Sequence, residues 1–181
     1  LLFTHCHLDH ADPRTVSMLI AGNPGMLLGG PVSASRKLLS VRPHSTPYVI
    51  LSPGGGVLLG DFLIETIPAF HSDARALGYR ISRGDETIYI SGDTSFTGAL
   101  AEALQERPAR TMCLCINGGA GRNMNVDDAL KLLELTMPRT VVPCHFGMFD
   151  EPVDVDDFIR RAEALGVRAV RPEPFSTLPE I

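Results

Sequence analysis

Apolar and polar positions alternate along the chain with two different periods, which predicts helices and strands in succession. Apolar residues at helical spacing indicate helices, whereas short β-branched or apolar runs indicate strands. The predicted helices lie at residues 12–21, at 32–39, within 94–105, at 125–137 and at 155–165. The predicted strands lie at 26–28, at several places between 44 and 70, around Tyr79, Tyr89 and Cys113, before His145 and at 167–170. This alternation favours a layered α/β fold.

Cap and turn residues mark several of these boundaries. Asn125 is a strong N-cap, because its side-chain oxygen can accept hydrogen bonds from free backbone N–H groups of the helix. Glycine-containing stretches at 52–56 and 82–86 predict two hairpin turns, since glycine tolerates the positive φ of tight connections. Ser52-Pro53-Gly54-Gly55-Gly56 lacks the lysine and the following serine or threonine of a phosphate-binding loop, so a hairpin is the better interpretation.

Composition narrows the class of protein. A length of 181 residues fits one domain over residues 1–181, and 44% hydrophobic residues can form a core. There is no apolar run long enough to span a membrane. With 16 Lys and Arg against 21 Asp and Glu, the net charge is −5 without a basic block, so nucleic-acid binding is not favoured. The four cysteines form no CxxC pair and are interpreted as reduced thiols of a cytoplasmic protein, with disulfides as the alternative.

Potential metal ligands are concentrated near the first residue. Thr4-His5-Cys6-His7-Leu8-Asp9-His10 contains three imidazoles and a carboxylate, donors that suit zinc, iron and manganese. At the end of a strand, His5 and His7 would point the same way and Cys6 would point away. Asp9 and His10 are adjacent, so the chain must turn there for both to reach a second ion. The run is interpreted as half of a two-metal hydrolytic centre; structural histidines or a single structural zinc are the alternatives.

Three later positions can supply the remaining ligands. His71, Asp93 and His145 each follow a β-branched or apolar run. Loops at strand ends are held by a rigid scaffold and still reach solvent and substrate. Each residue alone has an ordinary structural explanation. Their order after the opening run favours a shared metal site.

The ordered ligands resemble the metal-binding series of the metallo-β-lactamase superfamily of hydrolases. The residues between the ligands are similar to the branch that contains L-ascorbate-6-phosphate lactonase. The motifs that carry this similarity are Phe70-His71-Ser72, Leu77-Gly78-Tyr79-Arg80-Ile81, Tyr89-Ile90-Ser91-Gly92-Asp93-Thr94, Ile116-Asn117-Gly118, Asn123-Met124 and Pro143-Cys144-His145-Phe146-Gly147-Met148-Phe149. The resemblance implies an αββα sandwich and covers most of the chain.

The resemblance also implies how the ligands are shared between two divalent metal ions, manganese or zinc. His5, His7 and His71 would hold one ion, Asp9, His10 and His145 would hold the other, and Asp93 would bridge them. Many β-lactamases of this superfamily carry a cysteine at a second-metal position. This series contains none, which argues against antibiotic hydrolysis. The lactonase resemblance favours manganese.

The expected chemistry is hydrolysis by a metal-bound hydroxide, with Asp9 as the catalytic residue that moves a proton to the leaving group. The expected substrate is a small anionic or phosphorylated lactone such as L-ascorbate 6-phosphate. The resemblance places substrate contacts in loop 118–125, so Asn117, Arg122 and Asn123 are the candidates; a plain solvent loop is the alternative. A phosphodiesterase and a non-catalytic metal-binding relative are the alternative functions.

The first residues, Leu1-Leu2-Phe3, have the character of a strand already under way and lack the features of a signal peptide. Members of the superfamily carry several strands before the first ligand run. We therefore expect a chain that is incomplete at its N-terminus. We also expect an apolar face that is exposed or paired with another copy in a homo-oligomer.

Overall fold

The computed structural model describes residues 1–119, 122–147 and 152–172. Ala120 and Gly121 of the predicted substrate loop, and Met148 and Phe149 of the last motif, lie outside the described residues. The helices in the described part are α1 (Pro13–Gly22), α2 (Val32–Lys37), α3 (Gly98–Glu106), α4 (Val126–Thr136) and α5 (Val155–Ala164). None of them has the length and apolar character needed to cross a bilayer.

The strands in the same ranges form two sheets. They are β1 (Leu28–Gly30), β2 (Tyr48–Ile50), β3 (Gly56–Leu59), β4 (Phe62–Pro68), β5 (Leu77–Arg83), β6 (Glu86–Ile90), β7 (Thr111–Cys115), β8 (Thr140–Cys144) and β9 (Arg168–Ala169). β1 and β2 pair in parallel, and the larger sheet has the order β3-β4-β5-β6-β7-β8-β9. It is antiparallel from β3 to β6 and parallel from β6 to β9. Each parallel connection contains a helix, because a hairpin can join only antiparallel strands.

Three clusters of buried apolar side chains define the layers. One joins α1 and α2 to β1. The second includes Leu51, Ile64 and Tyr79 and lies between the two sheets. The third joins α3, α4 and α5 to the other face of the larger sheet through residues such as Met112 and Leu114. The layers therefore follow the order α, β, β, α, which confirms the predicted sandwich.

The predicted cap and the second predicted hairpin are confirmed. The Asn125 side chain accepts a hydrogen bond from the Asp128 N–H at 2.8 Å, and the Asp128 carboxylate accepts one from the Asn125 N–H at 3.4 Å. This reciprocal pair is a capping box at the start of α4. β5 and β6 form an antiparallel hairpin around Gly84, within the predicted turn at 82–86.

The hairpin predicted at Ser52–Gly56 is wrong. A tight turn is present, in which the Gly55 N–H donates to the Ser52 carbonyl at 3.0 Å. However, the turn carries the chain from β2 in the smaller sheet to β3 at the edge of the larger sheet. The hairpin is formed instead by β3 and β4, which are joined at Gly60, with a φ of +57°. Turn residues indicate where a chain bends, whereas the packing of the two sheets decides which strands pair.

Strands β2, β3 and β4 expose apolar side chains, as expected. Leu58 of β3 is 71% exposed, Ile50 of β2 is 50% exposed and Phe62 of β4 is 42% exposed. Patches of this kind are typical of surfaces that contact another protein. Pairing with another copy of the chain stays a prediction.

Asn125→Ala is expected to lower the free energy of unfolding by about 1 kcal/mol, because the Asp128 N–H loses its side-chain partner. Chemical denaturation followed by circular dichroism measures this change. Glu134→Ala, at an exposed position of the same helix, should change the same quantity by less than about 0.5 kcal/mol. Equal effects of the two substitutions would contradict the capping role of Asn125.

Candidate metal centre

The structure brings all seven predicted ligand residues together in two adjoining groups. Within each group, the donor atoms lie within 4.8 Å of one another. The first group is His5, His7 and His71, and the second is Asp9, His10, Asp93 and His145. Asp93 and His145 follow β6 and β8, which run parallel to β7 between them, so both reach the same edge of the larger sheet.

The strand predicted for the beginning of the histidine run is wrong. Strand pairing there is limited to one bridge between Leu2 and Gly29 of β1. The carbonyl of Thr4 instead accepts a hydrogen bond from the N–H of Leu77 in the larger sheet, at 2.8 Å. The segment therefore leaves one sheet for the other and cannot continue as a strand of either. His5 and His7 still converge, with ring centroids 4.6 Å apart.

Two other predictions about this run are confirmed. The chain turns at Asp9 and His10, since the Ala11 N–H donates to the carbonyl of His7 at 2.8 Å. Cys6 belongs to neither donor group. Because of the turn, Asp9 and His10 both belong to the second group.

Asp93 lies between the two groups. Its Oδ2 is 4.0 Å from Nε2 of His5 and 3.8 Å from Nε2 of His71. Its Oδ1 is 3.3 Å from Nε2 of both His10 and His145. One oxygen therefore faces each group, which is the arrangement that a carboxylate shared by two cations requires. The side chain is 5% exposed, so its charge is largely removed from water.

Several buried donor atoms have no hydrogen-bond partner among the described residues. These include His5 Nε2, His10 Nε2 and Asp93 Oδ1. Leaving a buried polar group unpaired costs about 1–3 kcal/mol. Coordination to a cation would remove that cost. The donors are all nitrogen or oxygen, a set that suits zinc and manganese. The two groups are therefore able to bind metal ions.

Neighbouring groups orient two of the imidazoles. Thr4 Oγ1 is 3.0 Å from Nδ1 of His5, and the carbonyl oxygen of Arg122 is 3.0 Å from Nδ1 of His71. A carbonyl oxygen only accepts hydrogen bonds, so His71 carries a proton on Nδ1. This leaves Nε2 of His71, 3.1 Å from Nδ1 of His7, available as a ligand atom.

Comparison with known proteins agrees with this geometry. A family model described as the beta-lactamase superfamily domain matches residues 1–146. The UPF0173 metal-dependent hydrolase of Methanocaldococcus jannaschii is 30% identical over 191 residues, which cover 94% of this chain and 77% of that protein. The chain belongs to the UPF0173 hydrolases of the metallo-β-lactamase superfamily.

Two further comparisons support this assignment. The UPF0173 metal-dependent hydrolase of Carboxydothermus hydrogenoformans is 28% identical over 180 residues, covering 92% of this chain and 75% of that protein. The solved structure of Igni18, a metallo hydrolase of Ignicoccus hospitalis, matches with a TM-score of 0.83 at 21% identity. The match covers 99% of this chain and 78% of that chain. At this identity the structural likeness shows that the two chains share a fold.

Burial and charge shift the pKa values of three site residues of this hydrolase. Burial, with a smaller contribution from His10, lowers the pKa of His5 to about 3. Burial also acts to lower the pKa of His10, but the Asp93 carboxylate outweighs it and the pKa is raised. Burial acts to raise the pKa of Asp93, but the neighbouring His10 imidazole overcomes this effect and lowers the pKa to about 2. Near neutral pH, His5 is therefore neutral and Asp93 ionised, the forms that bind cations.

The donor groups of the hydrolase open onto a cavity of about 500 Å³. Its walls include the three predicted substrate contacts, Asn117, Arg122 and Asn123. Nδ2 of Asn123 donates to Oδ1 of Asn117 at 2.8 Å, so these two amides brace each other. Arg122 is the one arginine or lysine among the lining residues that the structure describes. The sequence analysis missed Ser72, which lines the cavity 3.3 Å from Nε2 of His7; its position directly after a ligand was the available signal.

Proposed function

We propose that this metal-dependent hydrolase opens the ring of a small anionic lactone such as L-ascorbate 6-phosphate, with two divalent ions at the site. The observation that carries the proposal is a carboxylate, Asp93, that faces both donor groups beside a cavity with one cationic wall residue, Arg122. In this proposal Asp93 would be shared by the two ions. His5, His7 and His71 would hold the first, and Asp9, His10 and His145 would hold the second.

The ions supply, when bound, hydroxide at neutral pH and polarisation of the attacked carbonyl. The leaving oxygen needs a proton, which the attacking water supplies and a carboxylate of the chain can relay. Asp9 lines the cavity, and its side chain is 26% exposed against 5% for Asp93. Asp9 is therefore the carboxylate that can reach the substrate and transfer that proton.

In this proposal Arg122, which lines the cavity, would bind the anionic group of the substrate. A guanidinium group can donate two parallel hydrogen bonds to a phosphate. The backbone of Arg122 is anchored, because its N–H donates to the Gly119 carbonyl at 3.1 Å and its carbonyl contacts His71. An anion bound by this side chain is thus held beside the first donor group. The amides of Asn117 and Asn123 offer hydrogen bonds for substrate hydroxyl groups.

The metal and the cellular compartment are parts of the same proposal. Nitrogen and oxygen ligands accept either manganese or zinc, and the similarity to the lactonase branch favours manganese. All four cysteines are free thiols, which suits the reducing cytoplasm.

The metal-loaded protein is expected to open L-ascorbate 6-phosphate, and a chelator should abolish this activity. Arg122→Ala should raise KM by about 10- to 100-fold and change kcat far less, because it removes a charge-assisted hydrogen bond made before the chemical step. Steady-state kinetics on the lactone separate the two constants.

Arg139→Ala is the matched control, since Arg139 is exposed and precedes β8 at the end of the strand away from His145. It should leave both constants unchanged. Activity on a generic phosphodiester alone would end the lactonase proposal and favour a phosphodiesterase. Metal binding without turnover of either substrate would favour a non-catalytic relative.

A further inference from the structure

The backbone of Cys6, the residue between His5 and His7, is held on both sides by side chains from distant parts of the chain. Its N–H donates to Oδ2 of Asp73 at 3.0 Å. Its carbonyl accepts a hydrogen bond from Nζ of Lys37 at 2.6 Å. A segment outside a sheet has no ladder of backbone hydrogen bonds to hold it. Here two charged side chains take the place of that ladder.

Asp73 connects three parts of the hydrolase. Besides the Cys6 N–H, its carboxylate accepts hydrogen bonds from Oγ of Ser33 at 2.7 Å and from the N–H of Arg75 at 2.9 Å. Asp73 is two residues after His71, so one carboxylate links the loop of His71 to the segment of His5 and His7. The three ligands of the first donor group thus depend on a contact between positions 67 residues apart.

Helix α2 is the platform for this contact. Ser33 and Lys37 are four residues apart and therefore lie on the same face of the helix. Ala34 and Leu38 anchor α2 in the apolar cluster that includes α1 and β1. Both side chains that reach Asp73 and Cys6 from α2 thus start from a packed support.

We propose that Asp73 and Lys37 are positioning residues that hold His5, His7 and His71 in the geometry that binds the first metal ion. Neither belongs to a donor group or lines the cavity. They raise the affinity for the ion by ordering its ligands in advance. A ligand set that is already ordered loses less conformational entropy when the ion binds. This inference rests on the proposed two-ion function.

The test is titration of the metal-free protein with Co²⁺. One binding step is expected for each ion, and the absorption spectrum of the bound Co²⁺ reports the ligands at that step. His71→Ala identifies which step belongs to the first group. Asp73→Ala and Lys37→Met are each expected to weaken that step by about 10- to 100-fold, the usual effect of removing a group that orients a ligand. The other step should be unchanged, and Lys37→Arg should recover most of the affinity.

Matched controls are Arg36→Met, an exposed basic residue beside Lys37 on α2, and Asp85→Ala, an exposed carboxylate in the β5–β6 turn. Both should bind Co²⁺ like the wild type. Equal binding by Lys37→Met and the wild type would overturn the inference and leave the two-ion proposal standing. Equal weakening of both steps with a lowered melting temperature would show a general structural role and would also overturn it. A wild-type protein that binds no Co²⁺ would overturn the two-ion proposal itself.

Discussion

Asp93→Asn is expected to lower kcat/KM on the lactone by about 1,000-fold, or ~4 kcal/mol of transition-state stabilisation. Asparagine keeps the volume of the side chain but replaces one oxygen by an NH₂ group that cannot bind a cation. In the wild type, Oδ2 is 3.8 Å from Nε2 of His71 and Oδ1 is 3.3 Å from Nε2 of His10. The substitution therefore removes a ligand atom from one of the two groups and the shared negative charge from both.

Steady-state kinetics and elemental analysis of the purified variant measure the two effects. We expect bound metal to fall together with activity. Asp61→Asn is the control, because Asp61 lies in the β3–β4 turn with its side chain 84% exposed. It should keep full activity and metal content. Wild-type turnover by Asp93→Asn with its metal retained would refute the role of Asp93 as a shared ligand.

Gly92→Ala is expected to lower the free energy of unfolding by about 2–4 kcal/mol, from positive-φ strain and overpacking together. Gly92 has a φ of +56°, and an added Cβ would lie 2.8 Å from Cβ and 2.9 Å from Cγ2 of Thr4. Thr4 precedes His5 and Gly92 precedes Asp93. Relief of the contact would therefore move ligands of both groups apart, and metal affinity should fall with stability. Chemical denaturation of the metal-free protein and metal titration measure the two changes.

Gly84→Ala separates backbone strain from the contact with Thr4. Gly84 has the same φ of +56°, but an added Cβ there would meet no atom within 4 Å. Gly84→Ala should lower the free energy of unfolding by about 1 kcal/mol, because of the left-handed backbone alone. It should leave metal binding intact. If both variants lost the same free energy of unfolding, the contact between Thr4 and an added Cβ at residue 92 would have no effect on stability.

Features that depend on a few neighbouring residues could be predicted from the sequence. Asn125 caps α4 through an N–H three residues away, and the turn at Gly84 joins strands that are adjacent in the chain. The candidate ligands were also found in this way, because spacing and residue type identify donors such as His71 and His145 before any contact is known. In each case the controlling interaction, or the donor chemistry itself, is local.

Features that depend on contacts between residues far apart in the chain could not be predicted correctly from the sequence. The residues of Ser52–Gly56 suit a hairpin, yet the turn connects two sheets. The sequence predicts His5 at the end of a strand, yet the segment passes from one sheet to the other. Asp73 has no distinguishing feature in the sequence, because its role depends on the contact with Cys6.

By itself, the sequence determined which side chains can bind metal, the alternation of helices and strands, and the family. Only the tertiary structure decided that Asp93 turns one oxygen toward each donor group. It also decided that Asp73 and Lys37 hold the first histidines in place. The physical reason is that donor chemistry and helix or strand preference belong to individual residues and their neighbours. The position of one donor relative to another depends on how sheets and helices pack, and residues 67 positions apart then meet.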